Sequence, residues 1–228
     1  MKTTQVRVSP RRARPGAATT VDAETGTRHL NSIDELRTAV NECRRCPLWR
    51  PATQGVPGEG NAPAQLMLVG EAPGDVEDEV GRPFAGPAGA VLDRALHDAG
   101  ITRKSVFVSN AVKHFKFEQR GKRRLHMKPN AGEIKACNWW LAEELKLVRP
   151  KLVIALGATA ARGVLGRVVT IGATRGEFTP VAGDLHVLVT VHPSYLLRIP
   201  DEAVRRHEYG RFVKDLRAAH EWLKSRGN

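Results

Sequence analysis

The chain has 228 residues, with 36 Lys or Arg against 24 Asp or Glu, a formal charge of +12. That length holds one ordinary domain plus a tail, and 41% hydrophobic against 26% charged residues excludes a wholly disordered chain. No apolar run approaches the roughly 18 residues of a membrane span, and the opening MKTTQVRVSPRRARPG lacks a signal-peptide core, so a cytoplasmic protein with a polyanionic partner, nucleic acid foremost, is expected.

Residues 1–30 are rich in Thr, Ala, Pro and Arg without a period and read as a disordered basic tail. The remainder, 31–228, reads as one domain. A helix is predicted from Asn31-Ser32 to about Cys43, with Asp34 and Glu35 in its first turn. Gln65 to Val69 is a buried strand that runs into the turn-rich Gly70-Glu-Ala-Pro-Gly-Asp75. Ala88 to Ala99 is a helix stopped by Gly100. Ser105 to Ser109 is the second strand, followed by a long polar loop from Asn110 to Asn130. Ala131 to Leu147 is helical, Lys151 to Leu156 is the third strand, and a short helix follows Gly157. His186 to Val191 is the fourth strand, and Ala203 to Lys224 a terminal helix. This alternation predicts a three-layer α/β/α fold around a central parallel four-stranded sheet. Ligands bind such sheets at the carboxyl ends of the strands. Glu71 and Asp75 sit at the first such end, Asn110 at the second and His192 at the fourth.

The three cysteines, Cys43, Cys46 and Cys137, make a poor disulfide framework. Cys43-Arg-Arg-Cys46 ends a helical pattern and precedes Pro47, which favours metal or cluster ligation over a redox pair heading a helix. Three thiolates need a fourth ligand. His114 is the best candidate, because it opens the loop whose far end leads to the helix carrying Cys137. The spacing does not separate zinc from iron–sulfur.

Glu71 and Asp75 in GEAPGD are either helix caps or carboxylates aimed at a ligand. No Lys-Ser/Thr follows, so this is not a phosphate-binding loop of the nucleotide triphosphatases. His192, in His192-Pro-Ser194, is placed to donate to a developing anion. Lys113 to Lys128 holds seven basic residues and one Glu. Such a run in a loop beside a cleft suits phosphate neutralisation. Its embedded His126 is expected to stay neutral among the cations, and so nucleophilic.

These pieces together resemble the uracil-DNA glycosylase superfamily, specifically the family 4 iron–sulfur type. The carriers are CRRCPL, GEAPGDVEDEVGRPFAGPAG, SNAVKHF, ACNWW, LVIALGATA and HPSYLLR, in order from about Cys43 to Trp222. The basic loop ending in histidine, Lys122-Arg-Arg-Leu-His126, is closer to the UdgX branch, as is His114 in NAVKH. At Ala72 the chain departs from that branch's GEQPGD. The resemblance implies a uracil-DNA glycosylase-like fold and a [4Fe–4S] cluster held by Cys43, Cys46, His114 and Cys137. It implies that Glu71 helps activate a nucleophile, with Asp75 beside it. Phe84 would stack on uracil, Asn110 would read its edge, and the backbone at Ala72 would line the pocket. His192 would stabilise the departing uracil anion. Lys122, Arg123, Arg124 and Ser194 are expected on the DNA. His126 is expected to bond to the deoxyribose in place of water, which makes a covalent, single-turnover product. The expected partner is uracil-containing DNA, single strands included, met by a monomer. The alternatives are a turnover family 4 enzyme that releases uracil repeatedly, and a non-catalytic metal-containing DNA-binding protein.

Overall fold

The structure is a computed structural model and describes residues 30–226. The expected tail, residues 1–30, lies outside that range except for Leu30. In chain order the elements are α1 (Ile33–Asn41), β1 (Leu66–Gly70), α2 (Asp75–Val80), α3 (Pro87–Asp98), β2 (Val106–Asn110), β3 (Phe117–Arg120), β4 (Arg123–His126), α4 (Ala131–Val148), β5 (Leu152–Leu156), α5 (Ala158–Leu165), α6 (Ile171–Thr174), β6 (Phe178–Ala182), β7 (Leu185–Thr190), α7 (Pro193–Leu197) and α8 (Glu202–Ser225).

β1, β2 and β5 are buried at every residue, as strands covered on both faces must be. Alternate residues feed two cores. Leu66, Leu68, Ile154 and Leu188 pack on α3 and α8 through Leu92, Leu96, Phe212 and Leu216. Met67, Val69, Val153 and Val187 pack with Leu141 of α4 and Ala160 and Ala161 of α5. The result is the expected three-layer fold. Sheet order is β2-β1-β5-β7-β6, parallel across the first four strands.

Two features go beyond the sequence reading. β6 adds a fifth, antiparallel strand beside β7. Pro180 interrupts its pattern, and a Pro-containing strand is tolerated only at an edge, where a missing N–H leaves no central ladder unpaired. The other edge, β2, is covered by Glu59, whose N–H and C=O both pair with Val108 at 2.8 Å. The segment expected to be a loop from Asn110 to Asn130 contains the antiparallel hairpin β3–β4. Gly121, at φ +58°, turns it. Its strands are mostly charged and exposed, so no apolar alternation announces them.

β2 ends on a buried ion pair. Lys113 and Glu144 are both fully buried. Lys113 Nζ donates to Glu144 Oε2 at 2.7 Å, to Ser109 Oγ at 2.7 Å and to the Asn110 carbonyl at 2.8 Å. Ser109 Oγ donates to Glu144 Oε2 at 2.7 Å, and Gly58 N–H donates to Glu144 Oε1 at 2.9 Å. With every donor and acceptor answered, the pair fixes the exit of β2 against α4. Removing one partner leaves an uncompensated buried charge. Lys113→Met is therefore expected to lower unfolding free energy by about 3–5 kcal/mol in chemical denaturation, with Lys113→Met/Glu144→Leu recovering part of the loss. An unchanged unfolding midpoint in the single variant would exclude the pair as a structural lock.

Candidate active site

β1 and β2 run in register and end side by side at Gly70 and Asn110. A Cβ at position 70 would collide with Asn110 Oδ1 and with the Phe84 ring. Glycine there lets an amide and an aromatic ring enter the same space. Phe84 has a left-handed backbone at φ +57°, uncommon for a bulky residue, and a Cβ at position 89 would collide with its carbonyl. The Glu77 carboxylate accepts from Gly74 N–H at 3.0 Å and from Gly86 N–H at 2.8 Å. It thus ties the start of α2 to the loop that presents Phe84.

Above these strand ends lies a cavity of about 520 Å³. Glu71, Ala72, Asp75, Phe84, Asn110, His126, His192 and Ser194, all singled out from sequence, line it together. Asn110 is buried, yet its side-chain amide makes no hydrogen bond among the described residues. Its NH₂ donors and its carbonyl oxygen are therefore both left for a ligand. Phe84 and His192 stack with ring centroids 6.0 Å apart and an interplanar angle of 25°.

His192 caps α7. Its Nδ1 accepts from Ser194 N–H at 3.2 Å and lies 2.8 Å from Ser194 Oγ. A backbone N–H cannot reverse its role, so Nδ1 is unprotonated and the ring's proton sits on Nε2. Burial first, and then the neighbouring His126 and Arg198, bring the His192 pKa down to about 4. The side chain is a neutral donor at ordinary pH.

His126 ends β4 and remains accessible to solvent, although protein surrounds it closely. Its pKa is lowered first by lost hydration, with Arg198 in the same direction; Glu71 and Glu77 oppose. Sequence reasoning reached the neutral ring through the loop's own cations. The structure gives the main cause as burial, and the cation as one contributed by α7's end. Glu71 accepts a short hydrogen bond from Thr159 Oγ1.

Lys122 and Arg123 are exposed on the hairpin, outside the cavity. Arg124 differs. It pairs with Asp75, with fully buried Asp78 at 2.6 Å and with Glu79 at 3.4 Å, and its guanidinium lies over Phe115 and Phe117 at 5.4 and 5.3 Å. This residue latches the hairpin to α2 and so carries His126 to the cavity. Sequence reasoning placed it among phosphate contacts because the acidic run Glu77–Glu79 lies 45 residues or more away and gives no sign of the pairing. Arg198, Thr159 and Glu77 were also missed; Arg198 closes the HPSYLLR run.

Cys43 follows α1, Cys46 precedes Pro47, His114 follows β2 and Cys137 lies on α4. All three cysteines are free. Burial pushes the Cys137 thiol up to about 12; the Lys113 amide and charge oppose this, while Cys46 and Cys43 add to it. The three sulfurs are thus within electrostatic reach of one another. His114 Nδ1 is buried without a partner, and burial lowers that ring's pKa to about 4. Trp140 Nε1–H donates to Cys43 Sγ at 3.0 Å and Lys113 N–H to Cys137 Sγ at 3.2 Å. Among the described residues no group of three His, Cys, Asp or Glu closes on a point suited to a single ion. A cubane gives each ligand its own iron and so spaces its ligands more widely. Three thiols and one unsatisfied imidazole nitrogen fit that group.

The description of the uracil DNA glycosylase superfamily matches residues 57–217. A Type-4 uracil-DNA glycosylase of Thermotoga maritima is 36% identical over 189 residues, which cover 82% of this chain and 93% of the relative. One from Pyrobaculum aerophilum is 36% identical over 191 residues, covering 81% and 91%. A Type-5 uracil-DNA glycosylase of Pyrobaculum aerophilum is 34% identical over 180 residues, covering 70% and 74%.

The state of His192 is open to measurement. Its ring signals in nitrogen-15 NMR should show the Nε2–H form at neutral pH and titrate near pH 4. Its folded pKa lies below the ordinary value of about 6.5, so the unfolded chain binds more protons between those limits. Stability is therefore lost as pH falls from about 6.5 to 4, and His192→Gln should flatten that part of the profile. A midpoint near 6.5 would exclude the buried neutral donor.

Proposed function

The chain belongs to the uracil DNA glycosylase superfamily, and from that premise we propose that it excises uracil from DNA and that His126 then captures the abasic sugar. The observation that carries the second step is the placement of a neutral imidazole on the wall of the same cavity as Asn110 and His192.

A stacked uracil is out of reach, so the nucleotide must flip into the cavity. Phe84 offers the face on which the base stacks, at the depth where the Asn110 amide meets its edge. The amide's fixed donor and acceptor favour uracil over cytosine, whose edge pattern is partly reversed. As the bond from C1′ to N1 breaks, its electron pair goes to the uracil and the sugar becomes an oxocarbenium ion. His192 Nε2–H donates to the uracil oxygen where negative charge collects. Because the ring is neutral, it stabilises the anion by a hydrogen bond and keeps its proton, so uracil departs as the anion. The Glu71 carboxylate, oriented by Thr159, stabilises the sugar cation. A ring nitrogen of His126 then donates its lone pair to C1′. The new C–N bond makes the ring an imidazolium, which returns to neutrality by releasing its N–H proton. A tethered nucleophile has an effective concentration far above that of a single bound water, up to roughly 10⁵ M or more in favourable systems.

Lys122 and Arg123 supply phosphate contacts beside the cavity mouth. All the groups used come from one chain, so a monomer suffices. Cys43, Cys46, His114 and Cys137 would hold a [4Fe–4S] cluster. When bound it would supply a cross-link between the end of α1, the exit of β2 and α4, and no electron is needed for glycosidic cleavage.

The relatives named Type-4 uracil-DNA glycosylase favour a second reading, repeated release of uracil with water as the nucleophile. One gel separates the two. The protein is mixed with excess uracil-containing single strand, boiled in detergent and resolved. Capture predicts a shifted band that stops at one strand per molecule. His126→Gly should abolish that band while uracil release continues. Full adduct in His126→Gly would exclude His126 as the nucleophile, and release beyond one equivalent by the unaltered protein would establish turnover. Asn110→Ala should slow release by roughly a hundredfold in either case.

A further inference from the structure

Glu77 lies in the first turn of α2 and is only 8% exposed, yet no Lys or Arg pairs with it among the described residues. Its place in the helix explains one contact. Oε2 accepts from Gly74 N–H at 3.0 Å, the glutamate's half of a capping box. The other oxygen does what a cap does not need. Oε1 accepts from Gly86 N–H at 2.8 Å, outside the helix and nine residues on. The Glu77 main-chain carbonyl accepts from Gly81 N–H, also at 2.8 Å. One residue therefore holds both ends of the segment 81–86. Phe84 stands between them with its left-handed backbone, which a bulky residue keeps only where its surroundings over-determine it.

The two glycines are a second observation. Gly74 (φ −95°, ψ −170°) and Gly86 (φ −91°, ψ −166°) have extended backbones that any residue adopts. Conformation does not require glycine at either position. A Cβ at position 74 would stand 2.7 Å from Glu77 Oε2, and one at position 86 would stand 3.1 Å from Oε1. Both glycines make room for the same carboxylate. Glu77 also lines the cavity beside Phe84, but each of its oxygens is taken up by a glycine amide.

We propose that Glu77 is a positioning residue for base recognition. By holding the loop at Gly81 and Gly86, it sets the Phe84 ring at the depth where a flipped base stacks. It thus governs preference for the base rather than affinity for the strand. The inference deepens the uracil-excision reading and rests on it, because the ring's position matters to function only if a base meets it.

The test compares binding of the full chain to two single strands. One carries 2′-fluorinated uridine, whose electron-poor sugar resists cleavage; the other carries tetrahydrofuran, which has no base. The ratio of the two affinities reads the base alone. Glu77→Gln keeps the shape but puts an NH₂ where an oxygen accepted, so one glycine N–H loses its acceptor. The ratio should fall about fivefold or more, the lower end of what stacking one base on an aromatic ring contributes, while affinity for the tetrahydrofuran strand holds. In a Phe84→Leu background the same substitution should change the ratio little, because the ring it places is gone. An unchanged ratio overturns the inference. So does an equal loss of affinity for both strands, which marks a merely structural role, or an undiminished effect without the Phe84 ring. Should Glu77→Gln fail to fold, Gly74→Ala takes its place: it keeps the carboxylate, pushes Oε2 aside and is read in the same way. A second arm needs no DNA. With para-fluorophenylalanine throughout, the Phe84 resonance (the one lost in Phe84→Leu) should be a single narrow fluorine line, and Glu77→Gln should shift or broaden it. An unmoved line overturns the inference whatever happens to uracil. A moved line in a protein that neither prefers nor releases uracil would overturn the uracil reading alone.

Discussion

The buried pair of Lys113 and Glu144 is the constraint on which both halves of the molecule depend. Two unpaired charges at zero exposure would be untenable, and their mutual attraction alone does not repay desolvation. What makes the pair viable is the completeness of its hydrogen bonding, with Ser109, Asn110 and Gly58 answering the remaining positions. The Asn110 carbonyl belongs to that set, so the amide on the cavity wall is carried by a backbone that the lock holds. On the other side, Lys113 N–H donates to Cys137 Sγ. Lys113 thus bonds both to the backbone of a cavity residue and to one of the cysteine sulfurs.

The cavity is where this basic chain holds ionisable rings uncharged. The chain is strongly basic, yet the cavity presents two histidines held neutral. Desolvation is the first cause for each, and Arg198 adds to it. A protonated ring would bind phosphate well but would have no lone pair for a sugar cation and no fixed tautomer. Ser194 completes the arrangement at His192, because its N–H can only donate and therefore leaves Nε2 as the protonated nitrogen. The cavity wall thus carries two neutral rings, with Arg198 beside them and Lys122 and Arg123 exposed outside it.

The sequence showed the parallel sheet plainly because its strands are short, continuous apolar runs ended by Gly and Asn, a pattern local to each strand. It showed Glu71, Asn110 and His192 as a group because strand ends converge in any such sheet. β6 escaped notice because Pro180 and its exposed residues look like loop, and the hairpin because its strands are almost wholly charged. The role of Arg124 was illegible for a different reason. Whether an arginine faces phosphate or carboxylate depends on partners 45 to 49 residues away, and nothing in local composition reports that. Charge counting therefore found the basic loop but not the division of labour within it.

That division bears on how a surface hairpin can hold His126 on the cavity wall at all. β3 and β4 pair only with each other, and an isolated two-stranded ribbon has marginal stability. Left to its own ladder, the hairpin would sample positions far wider than the few tenths of an ångström that bond formation tolerates. Arg124 supplies the missing order by joining the ribbon to α2 through Asp75 and Asp78 while it lies across Phe115 and Phe117 at the ribbon's base. Asp78 is itself held by Thr53 N–H at 3.0 Å, so the latch closes on a fixed point of the domain. A cation used in this way is lost to phosphate binding. Lys122, Arg123 and Lys128, by contrast, stand exposed on either side of the latch. The position of His126 and the exposed positive charge of the hairpin are thereby carried by different residues of one short basic run.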